Sequence, residues 1–197
     1  MLKKSENQSI ARTIKSQAQI LGGTVAAFWG IEIVDQVLFA GRYLDLFGIH
    51  PRDLDSLVNI FFAPFLHVGF GHLIANTVPF LVLGWLIMAR NFKDFFWVTL
   101  IVTLVSGLGV WLLAPANTVH LGASGVVFGY LGYLLLRGYF ERSWQSVLVA
   151  LGVGFLFGGA LWGVLPLQAG VSWQAHLFGF LGGVLAARWL TPRRPAA

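Results

Sequence analysis

The sequence predicts an all-α polytopic membrane protein, a bundle of six transmembrane helices, on three observations. Of its 197 residues 57% are hydrophobic and 11% charged, with a mean hydropathy of +0.76. Soluble globular domains are not composed that way. Several stretches are apolar over lengths that match a bilayer core. The basic residues lie between those stretches and sort to one side of them.

Each element follows in order. Residues 1–18 are polar and carry Lys3, Lys4, Arg12 and Lys15, so they read as a cytosolic N-terminal tail. The membrane domain then occupies 19–190, and 191–197 form a basic cytosolic tail. The first span, 20–40, contains Glu32 and Asp35. Carboxylates inside a span face other protein or lie near the interface, so both are placed in the outer half, turned toward the bundle. Residues 42–60 mix charge with Leu46, Phe47, Leu54, Leu57 and Val58, which suits a loop with short amphipathic pieces in the interface. Further spans are expected at 64–89, 95–113, 122–136, 147–165 and 173–190.

Six spans place both termini on one side. Lys3, Lys4, Arg12, Lys15, Arg90, Lys93, Arg137, Arg142, Arg188, Arg193 and Arg194 then share that side, and Arg42 and Arg52 take the other. Eleven of the 13 basic residues together give cytoplasmic termini by the positive-inside rule. The net charge of +5 therefore reports membrane topology rather than nucleic acid. Cysteine is absent, which excludes disulfides and thiol chemistry. No cleavable signal peptide is read at the N-terminus. A bacterial plasma membrane is the expected location, and no cofactor or metal is expected.

The stretch His120-Leu121-Gly122-Ala123-Ser124-Gly125 opens the fourth span. A helix start offers unpaired N–H groups and positive dipole character, which suit a developing oxyanion. Alone this pattern also fits a packing serine, because small residues are common where membrane helices meet. Depth adds to it. Ser124 lies 13 residues before Arg137, His176 lies 12 before Arg188, and Asn76 lies 14 before Arg90. At ~1.5 Å per residue these stand roughly 20, 18 and 21 Å above the inner face, with His72 near 27 Å. Three spans thus carry polar side chains at one level, where such groups are costly unless they serve each other or a substrate.

The residue types are complementary. A serine hydroxyl needs a base, and histidine is the usual one near neutral pH. His72 and Asn76 share a helical face and can both donate to an oxyanion. Read singly, His176 is a packing histidine, and His72 with Asn76 a polar clasp between helices. Gly125, Gly129 and Gly132 form one stripe, and His176, Gly179 and Gly183 another. Facing stripes of small residues would bring the serine and the histidine within reach.

Three blocks carry a family resemblance: His67-Val68-Gly69-Phe70-Gly71-His72-Leu73-Ile74-Ala75-Asn76, Gly122-Ala123-Ser124-Gly125 and Ala175-His176-Leu177-Phe178-Gly179. Over residues 47–190 the chain resembles the rhomboids, the intramembrane serine proteases. The resemblance implies a Ser124–His176 dyad without a catalytic aspartate. It implies an oxyanion held by the Ser124 backbone N–H with the side chains of His72 and Asn76. Gly122 and Gly125 match the family's glycines around the serine. His67 matches a histidine often found before the oxyanion histidine, with a structural or substrate-adjacent role. The substrates implied are single-span or polytopic membrane proteins, cleaved in the outer half of the bilayer within a polar cavity that admits water. The first outer loop departs from the pattern: it has Gly41-Arg42-Tyr43 and no Trp-Arg pair, so its anchor is not evident.

Three other functions are weighed. A non-catalytic rhomboid-like protein that binds client helices would usually have lost the serine or the histidine. A transporter would show an inverted repeat or a column of polar sites. A metalloprotease using His67, His72 and His176 would need H-E-x-x-H or a nearby carboxylate. Oligomeric state and substrate identity leave no mark in the sequence.

Overall fold

The computed structural model describes the backbone of residues 2–191 and the side chains of residues 10–191. Six α-helices form it: α1 (Leu2–Phe39), α2 (Gly69–Arg90), α3 (Phe92–Leu113), α4 (Ser124–Glu141), α5 (Trp144–Phe157) and α6 (Trp173–Leu190). Among the described residues there is no strand, only an isolated antiparallel bridge between Ile49 and His120. The expected all-α membrane bundle is therefore present. Four helical stretches are long and apolar enough to cross a membrane by length and composition: Ile10–Phe39, Gly69–Arg90, Phe92–Leu113 and Trp144–Val164. This is an integral, multi-pass membrane protein.

The two remaining helices, α4 and α6, have 18 residues each. At ~1.5 Å per residue each spans about 27 Å, slightly less than a hydrocarbon core of ~30 Å. Helix α4 is the centre of the bundle. All ten residues from Gly125 to Leu134 are buried, as expected for a helix enclosed on every side. It packs on α2, α3, α5 and α6, and α6 also packs on α3.

The α4–α6 contact is made backbone to backbone. A Cβ at Gly179 would lie 2.1 Å from the Gly125 carbonyl oxygen, and one at Gly183 would lie 1.9 Å from that of Gly129. A Cβ at Gly132 would lie 2.4 Å from the Phe180 carbonyl oxygen. Only glycine permits this approach.

Two elements extend beyond the spans read from the sequence. Residues 2–18 are helical and continuous with the first span in α1. At ~1.5 Å per residue, a 38-residue helix is about 57 Å long, so part of it must project beyond the bilayer. Helix α4 runs to Glu141, and the charge at which the fourth span was read to end is Arg137. It is buried, and its Nη1 donates to Asp94 Oδ2 at 2.7 Å. Tyr133 Oη donates to the same oxygen at 2.7 Å, and Arg137 Nε reaches Glu141 at 3.4 Å. Arg90 joins this network through Glu141 at 2.7 Å. The 191–197 tail, with Arg193 and Arg194, lies outside the described residues except for Thr191.

Removing one partner of a buried pair leaves the other charge unsatisfied, which costs about 3–5 kcal/mol. Asp94→Ala should therefore lower the unfolding free energy by an amount at or below the bottom of that range, because Arg137 keeps Glu141. Asp94→Leu with Arg137→Met should cost markedly less than the sum of the two single changes. Thermal unfolding of wild type, Asp94→Ala, Asp94→Leu, Arg137→Met and the double variant in one detergent measures both.

The loop between α1 and α2, residues 40–68, is built from 3₁₀ turns at Leu44–Phe47, Leu54–Phe61 and Ala63–Phe65. It has an anchor that the sequence did not reveal. Arg52 donates through Nη1 to the carbonyls of Leu112 and Ala114, at 3.2 and 2.8 Å. Trp111 Nε1 donates to the Asp53 carbonyl at 2.8 Å. The tryptophan and the arginine that tie the loop down thus come from different segments. Glu32 and Asp35 are buried, as placed from sequence, and Asp35 Oδ1 accepts the Leu44 N–H at 2.9 Å.

Burial first, and then the charges of Asp35 and Glu32, push the Asp45 carboxyl up from 3.8 to about 6. A carboxyl raised on folding stabilises the protein at low pH, and that contribution fades as pH rises through about 6. Asp45 is half-exposed, so screening limits the effect to about 1 kcal/mol or less. Asp45→Asn should raise the melting temperature by about 2 °C at pH 7.5 and leave it nearly unchanged at about pH 3, below the carboxyl's ordinary value of 3.8. Melting curves at the two pH values check the sign.

Candidate active site

Ser124 is the first residue of α4, following Ala123 at the cap position. Its N–H is one of the four that a helix start leaves without an intrahelical acceptor. The turn before it needs glycine. Gly122 has φ +113°, and a Cβ there would lie 2.5 Å from His72 Cε1. The His72 ring therefore rests on the backbone two residues ahead of Ser124. The Gly122 N–H donates to the Ala63 carbonyl at 2.8 Å, which ties this turn to the loop between α1 and α2.

His176 lies in the first turn of α6 and is buried. Its ring stacks on Phe128, with centroids 4.0 Å apart and planes 6° apart. Phe128 is four residues after Ser124, on the same face of α4. The imidazole therefore lies against the helix that begins at Ser124. His176 Nδ1 donates to the Gly163 carbonyl at 2.9 Å. A carbonyl can only accept, so Nδ1 carries the proton and Nε2 is left as the basic nitrogen. No hydrogen bond joins Ser124 to His176 among the described residues.

His72 and Asn76 lie in the first two turns of α2. Asn76 is buried, and its Nδ2 donates to the His72 carbonyl at 2.9 Å. One of its two N–H bonds is thereby used and the second is not. His67 stands just before α2, wedged between Phe28 and His72, with both ring centroids at 5.3 Å. Ser106 on α3 donates to the Ala175 carbonyl at 2.9 Å and steadies the turn that carries His176. A small cavity adjoins Gly122 and Gly125, lined in its polar part by Thr103, Ser106 and His120. Among the described residues no group of three histidine, aspartate or glutamate side chains is placed to hold a metal ion.

Ser124, His176 and His72 therefore lie in the N-terminal turns of α4, α6 and α2, with His72 against Gly122 and Asn76 one turn further along α2. Reasoning from sequence missed Phe128, Gly163 and Ser106. The four-residue spacing of Phe128 from Ser124 could have pointed to it. The carbonyl of Gly163 leaves no side-chain signature.

Comparison with known proteins decides the family. The family model of the Rhomboid domain matches residues 54–193. The chain belongs to the rhomboid family. It is 41% identical to "Uncharacterized protein Rv1337" of Mycobacterium tuberculosis, over 94% of this chain and 82% of that protein. A Mycobacterium leprae relative, "Uncharacterized protein ML1171", is 40% identical over 85% of this chain and 68% of its own. "Rhomboid-like protein 11, chloroplastic" of Arabidopsis thaliana is 28% identical over 86% of this chain and 66% of its own. Rhomboid membership thus extends across the helices that carry Ser124 and His176.

Proposed function

We propose that this rhomboid is an intramembrane serine endopeptidase that cleaves transmembrane segments of single-span or polytopic membrane proteins. The observation that supports this most is the orientation of His176. Gly163 holds its Nδ1–H, and Phe128 holds its ring flat beside the face of α4 that begins at Ser124. In this reading Nε2 takes the Ser124 proton as the hydroxyl attacks the scissile carbonyl. The tetrahedral oxyanion is met by the Ser124 N–H, the second N–H of Asn76 and the His72 ring. His176 then protonates the leaving amine, and water hydrolyses the acyl-enzyme. The membrane is a bacterial plasma membrane with both termini cytoplasmic, so the site opens on the outer side.

Reconstituted protein mixed with a generic single-span substrate tests the reading. Wild type should cut the substrate within or near its span, and the chelator EDTA should not slow it. A folded wild type that captures the substrate helix without cutting it would replace this reading with client binding.

A further inference from the structure

The imidazole of His120 is not used by this mechanism, yet it lies four residues before the nucleophile in the same turn. We propose that His120 is a positioning residue for His176, acting through Ser172 at the start of α6; the inference rests on the proteolytic reading.

The hydrogen bonds around His120 form a chain with one direction. Thr118 Oγ1 donates its only proton to the Pro115 carbonyl. Its oxygen must therefore accept from His120 Nε2, 2.7 Å away. Burial lowers the His120 pKa from the usual 6.5, so the ring is neutral at pH 7 and has one N–H. With that proton on Nε2, Nδ1 is an acceptor. Its partner is Ser172 Oγ at 2.6 Å, which must donate. Ser172 Oγ in turn accepts the Ala175 N–H at 3.3 Å, and the Ser172 carbonyl accepts the His176 N–H at 3.2 Å.

Ser172 is thus the cap of the helix that carries the general base, and its hydroxyl orientation is set by His120. The His120 backbone is held as well: it exchanges two hydrogen bonds with Ile49, at 2.8 and 3.0 Å. The same residue therefore joins the outer loop, the turn leading into Ser124 and the first turn of α6. Fixing α4 and α6 ends to a common post keeps nucleophile and base in register. A misplacement of ~1 Å in such a pair can lower turnover by about 10²-fold.

Two conservative replacements separate this role from simple packing. Asparagine places an acceptor where Nδ1 stands but cannot reach Thr118. Glutamine places a donor where Nε2 stands but offers Ser172 nothing. We expect His120→Ala to lower kcat by 10- to 100-fold with KM changed less than threefold. His120→Asn should recover most of kcat, His120→Gln should not, and Ser172→Ala should match His120→Ala. Cleavage kinetics of a single-span substrate give kcat and KM, and melting temperature in the same detergent reports folding. His120→Ala with unchanged kcat, or equal recovery by Asn and Gln, would overturn the role. So would loss of activity in all three variants in step with melting temperature. Each of these results requires an active wild type, so they stand apart from failure of the proteolytic reading, in which wild type itself does not cleave.

Discussion

Ser124→Ala should remove substrate cleavage completely within the range of the assay, a loss of about 10⁴-fold or more, while the protein remains folded. The hydroxyl makes no hydrogen bond among the described residues, so deleting it disrupts no structural contact. Ser124 is half-buried at a helix start, where alanine is readily accommodated. Stability and activity should therefore separate cleanly. His176→Ala should cost a similar factor in activity, because a serine hydroxyl without its base is a poor nucleophile. It should also lower stability by about 1 kcal/mol or more, since it gives up the stack on Phe128 and leaves the Gly163 carbonyl unpaired. Residual activity in either single variant, compared with the double variant, tests whether the two act as a unit.

The second large effect is expected at the α4–α6 contact. Gly183→Val would force side-chain atoms into the Gly129 carbonyl oxygen, which a Cβ alone would approach to 1.9 Å. Neither helix can give way easily, because α4 is enclosed by four others. Overpacking against a side chain costs about 1–3 kcal/mol, and against a backbone the cost should lie at or above the top of that range. Gly183→Val and Gly179→Val should both express poorly or unfold at lower temperature, and the surviving fraction should be inactive. Gly152→Val on α5 supplies the control, since a Cβ there meets nothing within 4 Å. Its stability should match that of wild type.

The sequence was most informative where one physical requirement dominated. A bilayer demands long apolar helices, so α3 and α6 lie close to where hydropathy placed them. Close helix approach demands glycine, so the Gly179 and Gly183 stripe could be read before the contact was seen. It was less informative where two requirements competed. Arg137 reads as the end of a span because charge belongs at the interface. It is buried only because Asp94, 43 residues earlier, comes to meet it, and no local pattern encodes that encounter. Residues 2–18 read as a tail because they are polar and basic, and their helical backbone has no local signal because a helix can extend into water once its membrane part is nucleated.

The site followed the same rule. Ser124, His176, His72 and Asn76 are polar residues in apolar helices and stand out in the sequence as candidates. Their supports do not. Phe128 is one aromatic among 17 phenylalanines, and Gly163 contributes only a carbonyl. The anchor of the loop between α1 and α2 was invisible for a further reason: Arg52 and Trp111 are 59 residues apart in the chain (111 minus 52) and meet only through backbone carbonyls.

The measurement that bears most directly on catalysis is covalent labelling with a fluorophosphonate, followed by mass spectrometry of the digested protein. The reagent reports an activated serine without requiring the right substrate. The expected result is a single adduct on the peptide containing Ser124, absent from His176→Ala and from heat-unfolded wild type. No adduct in folded wild type, or an adduct on another serine, would contradict the assignment of Ser124 as the nucleophile.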